Sequence, residues 1–260
     1  ALQDAEHGVV KSTDEIAAIG LTGQMHGLVY VDAEGSAVSP LYTWEDERGN
    51  RFVTDTDKEN GTDFGRKAVD QETAAAAACD TAALEAQSVK AVPRTYAQQL
   101  SNLTGYQMAT GFGLTTHYYN LKNNLVPKQA VTFCTIHDYI AMKLIGRKKP
   151  LMTAGDAASF GCFDVETMCF DAAALKRAGI DASVLPECTA NFSLVGTTAE
   201  KIPVAAAIGD NQASVIGALR SMEKSLLINI GTSSQVSMCL TLPEAKMRKE
   251  MQRKLQQAGI

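Results

Sequence analysis

Three short stretches of the chain carry side chains that could hold and deprotonate a small hydroxylated molecule. The first is Thr22-Gly23-Gln24-Met25-His26-Gly27. Glycines let a backbone approach a ligand closely. Gln24 offers both donors and an acceptor, and a neutral His26 offers one of each. Hydroxyl groups need such two-way partners, although an ordinary turn around a satisfied histidine would look the same. The second is Thr43-Trp44-Glu45-Asp46-Glu47-Arg48, which places the only tryptophan of the chain among three acids and an arginine. An aromatic face packs on the apolar face of a ring, and carboxylates accept from hydroxyls. The bland alternative is a core tryptophan beside a solvated charge cluster. The third is Ile208-Gly209-Asp210-Asn211-Gln212-Ala213-Ser214. An acid where a buried strand turns into a helix is well placed as a catalytic base, but the same position suits a helix N-cap. The two roles compete, because a capping carboxylate is a poorer base.

Other patterns do not hold. Asp55, Asp57 and Glu59 have the spacing of a calcium loop, yet Asn60 stands where the loop needs Gly and Arg66 where it needs Glu. Gly111-Phe112-Gly113 begins a dinucleotide-binding pattern that fails at Thr116. No Walker A sequence is present, so a nucleotide would have to be held another way. His7 and His117 have no motif around them, and His137 reads as a first-turn helix residue. The six cysteines form no CxxC pair and mostly sit in apolar surroundings, which favours reduced, buried thiols over a zinc site.

The elements that must position these residues alternate between strands and helices, the signature of an α/β protein. Residues 16–21 form a short apolar run expected to be a buried strand, and residues 28–31 form another, closed by a turn at Ala33-Glu34-Gly35. The loop bearing Gln24, Met25 and His26 therefore lies between two strands. Residues 51–72 are polar and acidic, whereas the alanine run at 74–78 favours helix. Thr135-Ile136-His137-Asp138 has the form of a capping box for a helix ending near Gly146, and Asp171 should cap another that stops at Gly179. Residues 204–208 should be a buried strand, 212–219 a helix, and 226–230 and 235–240 a hairpin joined through Gly231-Thr232-Ser233-Ser234. A charged amphipathic helix is expected over 244–257.

The balance of 45% hydrophobic and 20% charged residues is that of a globular protein, and 260 residues suffice for a sizeable core. A net charge of −5, with no Lys/Arg run longer than three residues, speaks against nucleic acid or an anionic membrane as the main partner. No apolar run is long enough for a transmembrane helix.

Taken together, the Gln-Met-His loop, the Trp-x-Asp-x-Arg stretch, the Gly-Asp-Asn-Gln elbow and the Gly-Thr-Ser hairpin occur in the order found in FGGY carbohydrate kinases. The segment Asp156-Ala157-Ala158-Ser159-Phe160-Gly161-Cys162-Phe163-Asp164 also resembles that family's first domain. Within the family, the Thr-Trp-x-Asp-x-Arg form, Thr135-Ile136-His137-Asp138-Tyr139 and the Gln-Ala-Ser after the elbow look more like sedoheptulokinases than xylulokinases. The resemblance spans roughly residues 15–240, with residues 51–92 resembling nothing in particular.

The resemblance implies an actin-like (ribonuclease-H-like) two-domain α/β sugar kinase. Residues 1–221 would be the N-terminal, sugar-binding domain without its first strands, and residues 222–260 the start of the nucleotide-binding domain. It implies transfer of a phosphoryl group from ATP, with Mg²⁺, to a ketose, sedoheptulose ahead of xylulose. Asp210 would be the general base and a Mg²⁺ ligand. Gln24, Met25, His26, Trp44 and Asn211 would shape the sugar site, and Gly231, Thr232 and Ser233 would meet the ATP phosphates. A cytoplasmic location follows, and a homodimer is compatible with it. Such kinases open with an Asp-x-Gly-Thr phosphate loop and carry a later glycine-rich adenosine segment. Neither is found between Ala1 and Ile260, so the chain is expected to be part of a longer protein, and residues 1–260 alone are expected to bind ketose weakly and not to phosphorylate it. The rival reading is a non-catalytic sugar-binding module. A DNA-binding sugar sensor fits less well, for want of a helix-turn-helix.

Overall fold

The computed structural model describes residues 15–53, 94–221, 224–230 and 234–239. The expected helix over the alanine run, the helix over 244–257, the Asp55–Glu59 loop and Gly231, Thr232 and Ser233 lie outside the described residues. The chain divides into two compact units, residues 1–208 and 209–260.

In the first unit, β1 (Thr22–Gly23) is followed by β2 (Val29–Val31), whose residues are all buried. Burial of both faces explains why β2 reads as a continuous apolar run rather than an alternating one. On one edge it runs antiparallel to β3 (Thr132–Cys134), pairing Tyr30 with Phe133. On the other it meets the returning chain through Leu28–Tyr42 and Val31–Ala37 bridges. The intervening turn is built by Asp32, whose carboxylate accepts from the Glu34 and Ser36 N–H groups at 3.0 and 2.7 Å, with Gly35 at φ +81°.

The run over 16–21 is not the buried strand its composition suggests. Ile19 forms a parallel bridge to Val204, and Leu21 accepts from the Ile208 N–H at 3.1 Å, but Ala17, Ala18 and Gly20 are exposed. Side chains this small offer too little apolar area to recruit a covering layer.

Helices and short strands fill the rest of this unit. α1 (Tyr96–Thr104) opens on a complete Thr95/Gln98 capping box and ends at Gly105 in the left-handed region. α2 (Gly113–Lys122) is buried from Gly113 to Asn120. α3 (Ile136–Leu144) begins as expected at Thr135, whose hydroxyl oxygen accepts from the Asp138 N–H. β4 (Leu151–Thr153) leads directly into α4 (Ala154–Phe160). The hairpin of β5 (Phe163–Asp164) and β6 (Cys169–Phe170) leads into α5 (Ala172–Ala178), capped by Asp171 and stopped by Gly179 as the sequence implies. β7 (Glu187–Thr189) lies parallel to β4, and β8 (Leu194–Thr197) antiparallel to β9 (Pro203–Ala205). The core gathers Leu28, Tyr30, Leu100, Leu114, Tyr118, Phe133, Met142, Met152, Phe160 and Leu175. Among the described cysteines, Cys134 and Cys162 are buried free thiols, Cys188 and Cys239 are half-buried, and Cys169 on the β5–β6 hairpin is exposed.

His117 on α2 is a buried core histidine. The Tyr30 hydroxyl accepts from the Asn120 amide at 3.2 Å and so has its own proton for His117 Nδ1, 2.9 Å away. Burial lowers the His117 pKa to about 4. The unfolded chain therefore takes up a proton near pH 6.5 that the native state refuses until about pH 4. Stability should be fully present above pH 6.5 and fall as pH drops between those values, by on the order of 3 kcal/mol. Denaturant unfolding of the wild type and His117→Gln across this range checks it. A slope unchanged by the substitution would place the acid lability elsewhere.

The next strand, β10 (Ile208–Gly209), crosses from the first unit into the second. There α6 (Asp210–Ala218) follows, and then β11 (Leu226–Ile230) and β12 (Ser234–Met238), antiparallel with Ile228 opposite Val236. The expected hairpin is thus present. No helix among the described residues is long and apolar enough to cross a membrane.

Candidate functional site

The loop between β1 and β2 carries an unusual backbone. The Gly27 N–H donates to the Met25 carbonyl at 2.8 Å around His26, whose φ is +70°. This γ-turn is a strained form for a side chain other than glycine, and such strain persists only where surrounding contacts over-determine it. Those contacts come from α4 and from the start of α2. The His26 N–H donates to Ser159 Oγ at 3.3 Å, and His26 Nδ1 lies 2.7 Å from the Ser159 carbonyl oxygen. Ser159 is itself held by its hydroxyl, which donates to the Asp156 carbonyl at 2.7 Å. The imidazole also stacks on Phe112, with centroids 4.9 Å apart and planes 2° from parallel. A carbonyl oxygen can only accept, so Nδ1 carries the proton and Nε2 of the neutral ring carries the lone pair. The half-buried His26 thereby becomes an oriented hydrogen-bond acceptor.

Trp44 is 55% exposed and is not a core residue. The segment behind it is tied down by its own side chains. Asp46 caps a 3₁₀ turn (Glu47–Asn50) by accepting from the Arg48 N–H, and it binds Arg48 Nε at 2.8 Å. Arg48 also donates to Asn120 Oδ1, and its guanidinium lies 4.4 Å from the Tyr42 ring centroid. The Asp46–Arg48 pair thus braces the turn that displays Trp44. An open polar hollow of about 330 Å³ lies alongside, lined by Asp46, Glu47, Arg48, Asn50 and Arg51.

Gly111-Phe112-Gly113 has a packing role that its failed nucleotide pattern conceals. A Cβ on Gly111 would lie 2.1 Å from the Trp44 carbonyl oxygen, and one on Gly113 would lie 2.5 Å from the Phe160 ring. Gly111 also has φ +83°. Between them, Phe112 reaches His26. Gly111→Ala should cost about 1–3 kcal/mol through left-handed strain and the clash with Trp44. Thermal unfolding followed by Trp44 fluorescence reads this, and an unchanged midpoint would contradict the packing described.

Beneath the loop sits a buried polar cluster. His137 is 2% exposed, and Asp138 and Asp156 are fully buried. His137 Nε2 lies 3.1 Å from Asp156 Oδ2. A Cβ on Gly23 would come within 2.8 Å of His137 Nδ1, so β1 rests on the imidazole ring. Burial, then the nearby Asp156, pushes the Asp138 carboxyl well above the usual range.

Asp210 and Asn211 belong to the second unit. The N-cap of α6 is Gly209, with no side-chain cap, and Asp210 is the first helical residue. The competition between capping and base roles therefore does not arise. The carboxylate is exposed, with Oδ1 accepting from the Asn211 N–H at 2.8 Å. Thus Gln24, Met25, His26 and Trp44 fall within the first unit, where α4 and the start of α2 support His26, while Asp210 and Asn211 are on the other.

Sequence reasoning passed over Phe112, Ser159, His137 and Asp156 as a supporting set. The glycines around Phe112 and the Thr-x-x-Asp spacing at both 135–138 and 153–156 were the available signals.

Residues 70–218 match the model of the N-terminal domain of the FGGY family of carbohydrate kinases. The chain is 28% identical over 248 residues to sedoheptulokinase from Mus musculus, covering 85% of this chain and 42% of that protein. It is 26% identical over 232 residues to xylulose kinase from Staphylococcus xylosus, covering 85% of this chain and 40% of that protein. The chain thus spans less than half the length of these relatives. Its fold matches that of a xyloylose kinase from Brucella ovis with a TM-score of 0.64 at 21% identity, over 91% of this chain and 42% of that one.

Proposed function

Since the chain belongs to the FGGY family of carbohydrate kinases, we propose that the protein transfers a phosphoryl group from ATP to a ketose, sedoheptulose ahead of xylulose. Its residues 1–221 form the sugar-binding domain, and residues 222–260 begin the nucleotide-binding domain. The observation that carries the sugar side is His26, held in a strained turn with Nδ1–H committed to Ser159 and the Nε2 lone pair left to meet a hydroxyl. Gln24 supplies further donors and an acceptor. The exposed face of Trp44 packs on the carbon skeleton of the sugar, and Met25 and Asn211 are further sugar-binding residues. The preference for sedoheptulose rests on the Trp44–Arg48 and Asp210–Ser214 stretches.

Asp210 accepts the proton of the attacking hydroxyl. Phosphoryl transfer needs in-line positioning, charge neutralisation and such a base. The exposed carboxylate also suits Mg²⁺, a hard cation that takes oxygen ligands and keeps part of its water shell. When bound, Mg²⁺ would neutralise phosphate charge. Gly231, Thr232 and Ser233 would hold the phosphates through backbone N–H groups and hydroxyls. The free thiols of the first unit favour the cytoplasm as the working compartment.

Trp44 gives a direct test, because it is the only tryptophan of the chain. Titration with ketoses should change its fluorescence with saturation, sedoheptulose and xylulose acting at lower concentration than aldoses or glycerol. An equal response to all of them, or a preference for glycerol or an aldose, would overturn the ketose assignment.

A further inference from the structure

We propose that His137, Asp138 and Asp156 form a buried site for a divalent cation, Zn²⁺ by the chemistry of its donors, beneath the β1–β2 loop. The three residues come from the first turns of α3 and α4, the helices opened by the Thr-x-x-Asp stretches at 135–138 and 153–156. Each can aim one ligand atom at a common point, and these atoms lie within 4.8 Å of one another. Tetrahedral zinc sites are tighter, with ligand atoms roughly 3.4 Å apart at bond lengths near 2.1 Å. Rotation of an aspartate about its broad χ2 closes a gap of that size.

The hydrogen bonding around the three residues has the pattern of a ligand shell. Thr135 Oγ1 donates to Asp138 Oδ2 at 2.7 Å, and Thr153 Oγ1 donates to Asp156 Oδ2 at 3.0 Å. The other oxygen of each carboxylate, Oδ1, is buried without a hydrogen-bond partner. His137 is in the same position. Neither ring nitrogen has a hydrogen-bond partner, although Nε2 comes within 3.1 Å of Asp156. Buried polar atoms are almost always satisfied, and orphans grouped around one point ask for a shared occupant. Outer hydroxyls that fix one oxygen of each carboxylate are the usual second layer of a metal centre.

Charge points the same way. A carboxylate that ionises in a water-free interior needs positive charge nearby, and one divalent cation can supply it to two of them. A divalent cation bound by two carboxylates and a neutral imidazole makes the group neutral. A mixed set of one nitrogen and two oxygens suits Zn²⁺, whereas Mg²⁺ and Ca²⁺ prefer oxygen alone. The cation would tie α3 to α4, and α4 carries the Ser159 that holds His26.

The test is to strip the purified protein with chelator, add Zn²⁺ and count bound metal after desalting. One tightly held equivalent is expected, with the unfolding midpoint raised by several degrees and returned by chelator. Co²⁺ in its place should show ligand-field bands without the near-ultraviolet thiolate charge-transfer band that cysteine ligands would give. His137→Gln and Asp156→Asn should lose the equivalent, and Asp210→Asn should keep it. Should the cluster variants fail to fold, the wild-type count and Co²⁺ spectrum decide by themselves. Less than a tenth of an equivalent, a thiolate spectrum, or an equivalent that survives in a folded His137→Gln variant would each overturn the site and leave protons as the occupants.

Discussion

Replacing Asp210 by Asn in the protein is expected to lower the turnover of ketose phosphorylation by about 10²–10⁴-fold, the usual worth of a general base. Ketose affinity should stay within a few-fold. Asn keeps the size of the side chain and can still accept a hydrogen bond from the Asn211 N–H. It cannot take a proton. Gly209 caps α6, so the substitution removes no helix cap and should leave the unfolding midpoint of this unit nearly unchanged. A fall in turnover therefore reads chemistry and not folding. Near-normal turnover in Asp210→Asn would remove Asp210 from the base role, whatever the fate of the sugar site.

The second large effect is expected at the β1–β2 loop. His26→Ala and Gln24→Ala should each raise the KM for the ketose by about 5- to 150-fold, because losing a hydrogen bond to a buried polar ligand costs about 1–3 kcal/mol. The KM for ATP should move far less. His26→Ala carries an extra consequence. The ring is stacked on Phe112 and bonded to the Ser159 carbonyl, so truncation also frees the turn around φ +70°. His26→Asn keeps a short polar side chain tolerated at positive φ and should recover part of the loop's order without the acceptor that Nε2 provides. If either alanine variant weakened ATP and spared the sugar, the loop would belong to the nucleotide side.

Much of this arrangement is legible in the residues, for local reasons. Thr135, Asp171 and Gly179 mark helix ends through bonds that involve only neighbours along the chain. The apolar 226–230 and 235–240 runs announce a hairpin in the same way, and the glycines around Gln24 and His26 mark a loop between strands. What could not be read is what depends on distant partners. The apolar run over 16–21 looks like a buried strand, yet its exposure is decided by what covers residues 203–208 and by the small side chains of Ala17, Ala18 and Gly20. Phe112 gives no sign that it stacks on a histidine more than eighty residues earlier in the chain. The glycines beside it read as a broken nucleotide motif, when their need for φ +83° and for room against Trp44 and Phe160 is a matter of packing. His137 is a first-turn helix residue in sequence, as expected. Only the approach of Asp156 from the next helix gives it chemistry.

The measurement that bears most directly on the central claim is sugar-stimulated release of ADP from Mg²⁺-ATP by the full-length protein, across sedoheptulose, xylulose, several aldoses and glycerol. Release should rise with ketose concentration, highest for sedoheptulose, and the phosphoryl group should be recovered on a hydroxyl of the sugar. Background hydrolysis that no sugar stimulates, in a folded protein whose Trp44 still reports ketose binding, would contradict the kinase reading and make this a sugar-binding module.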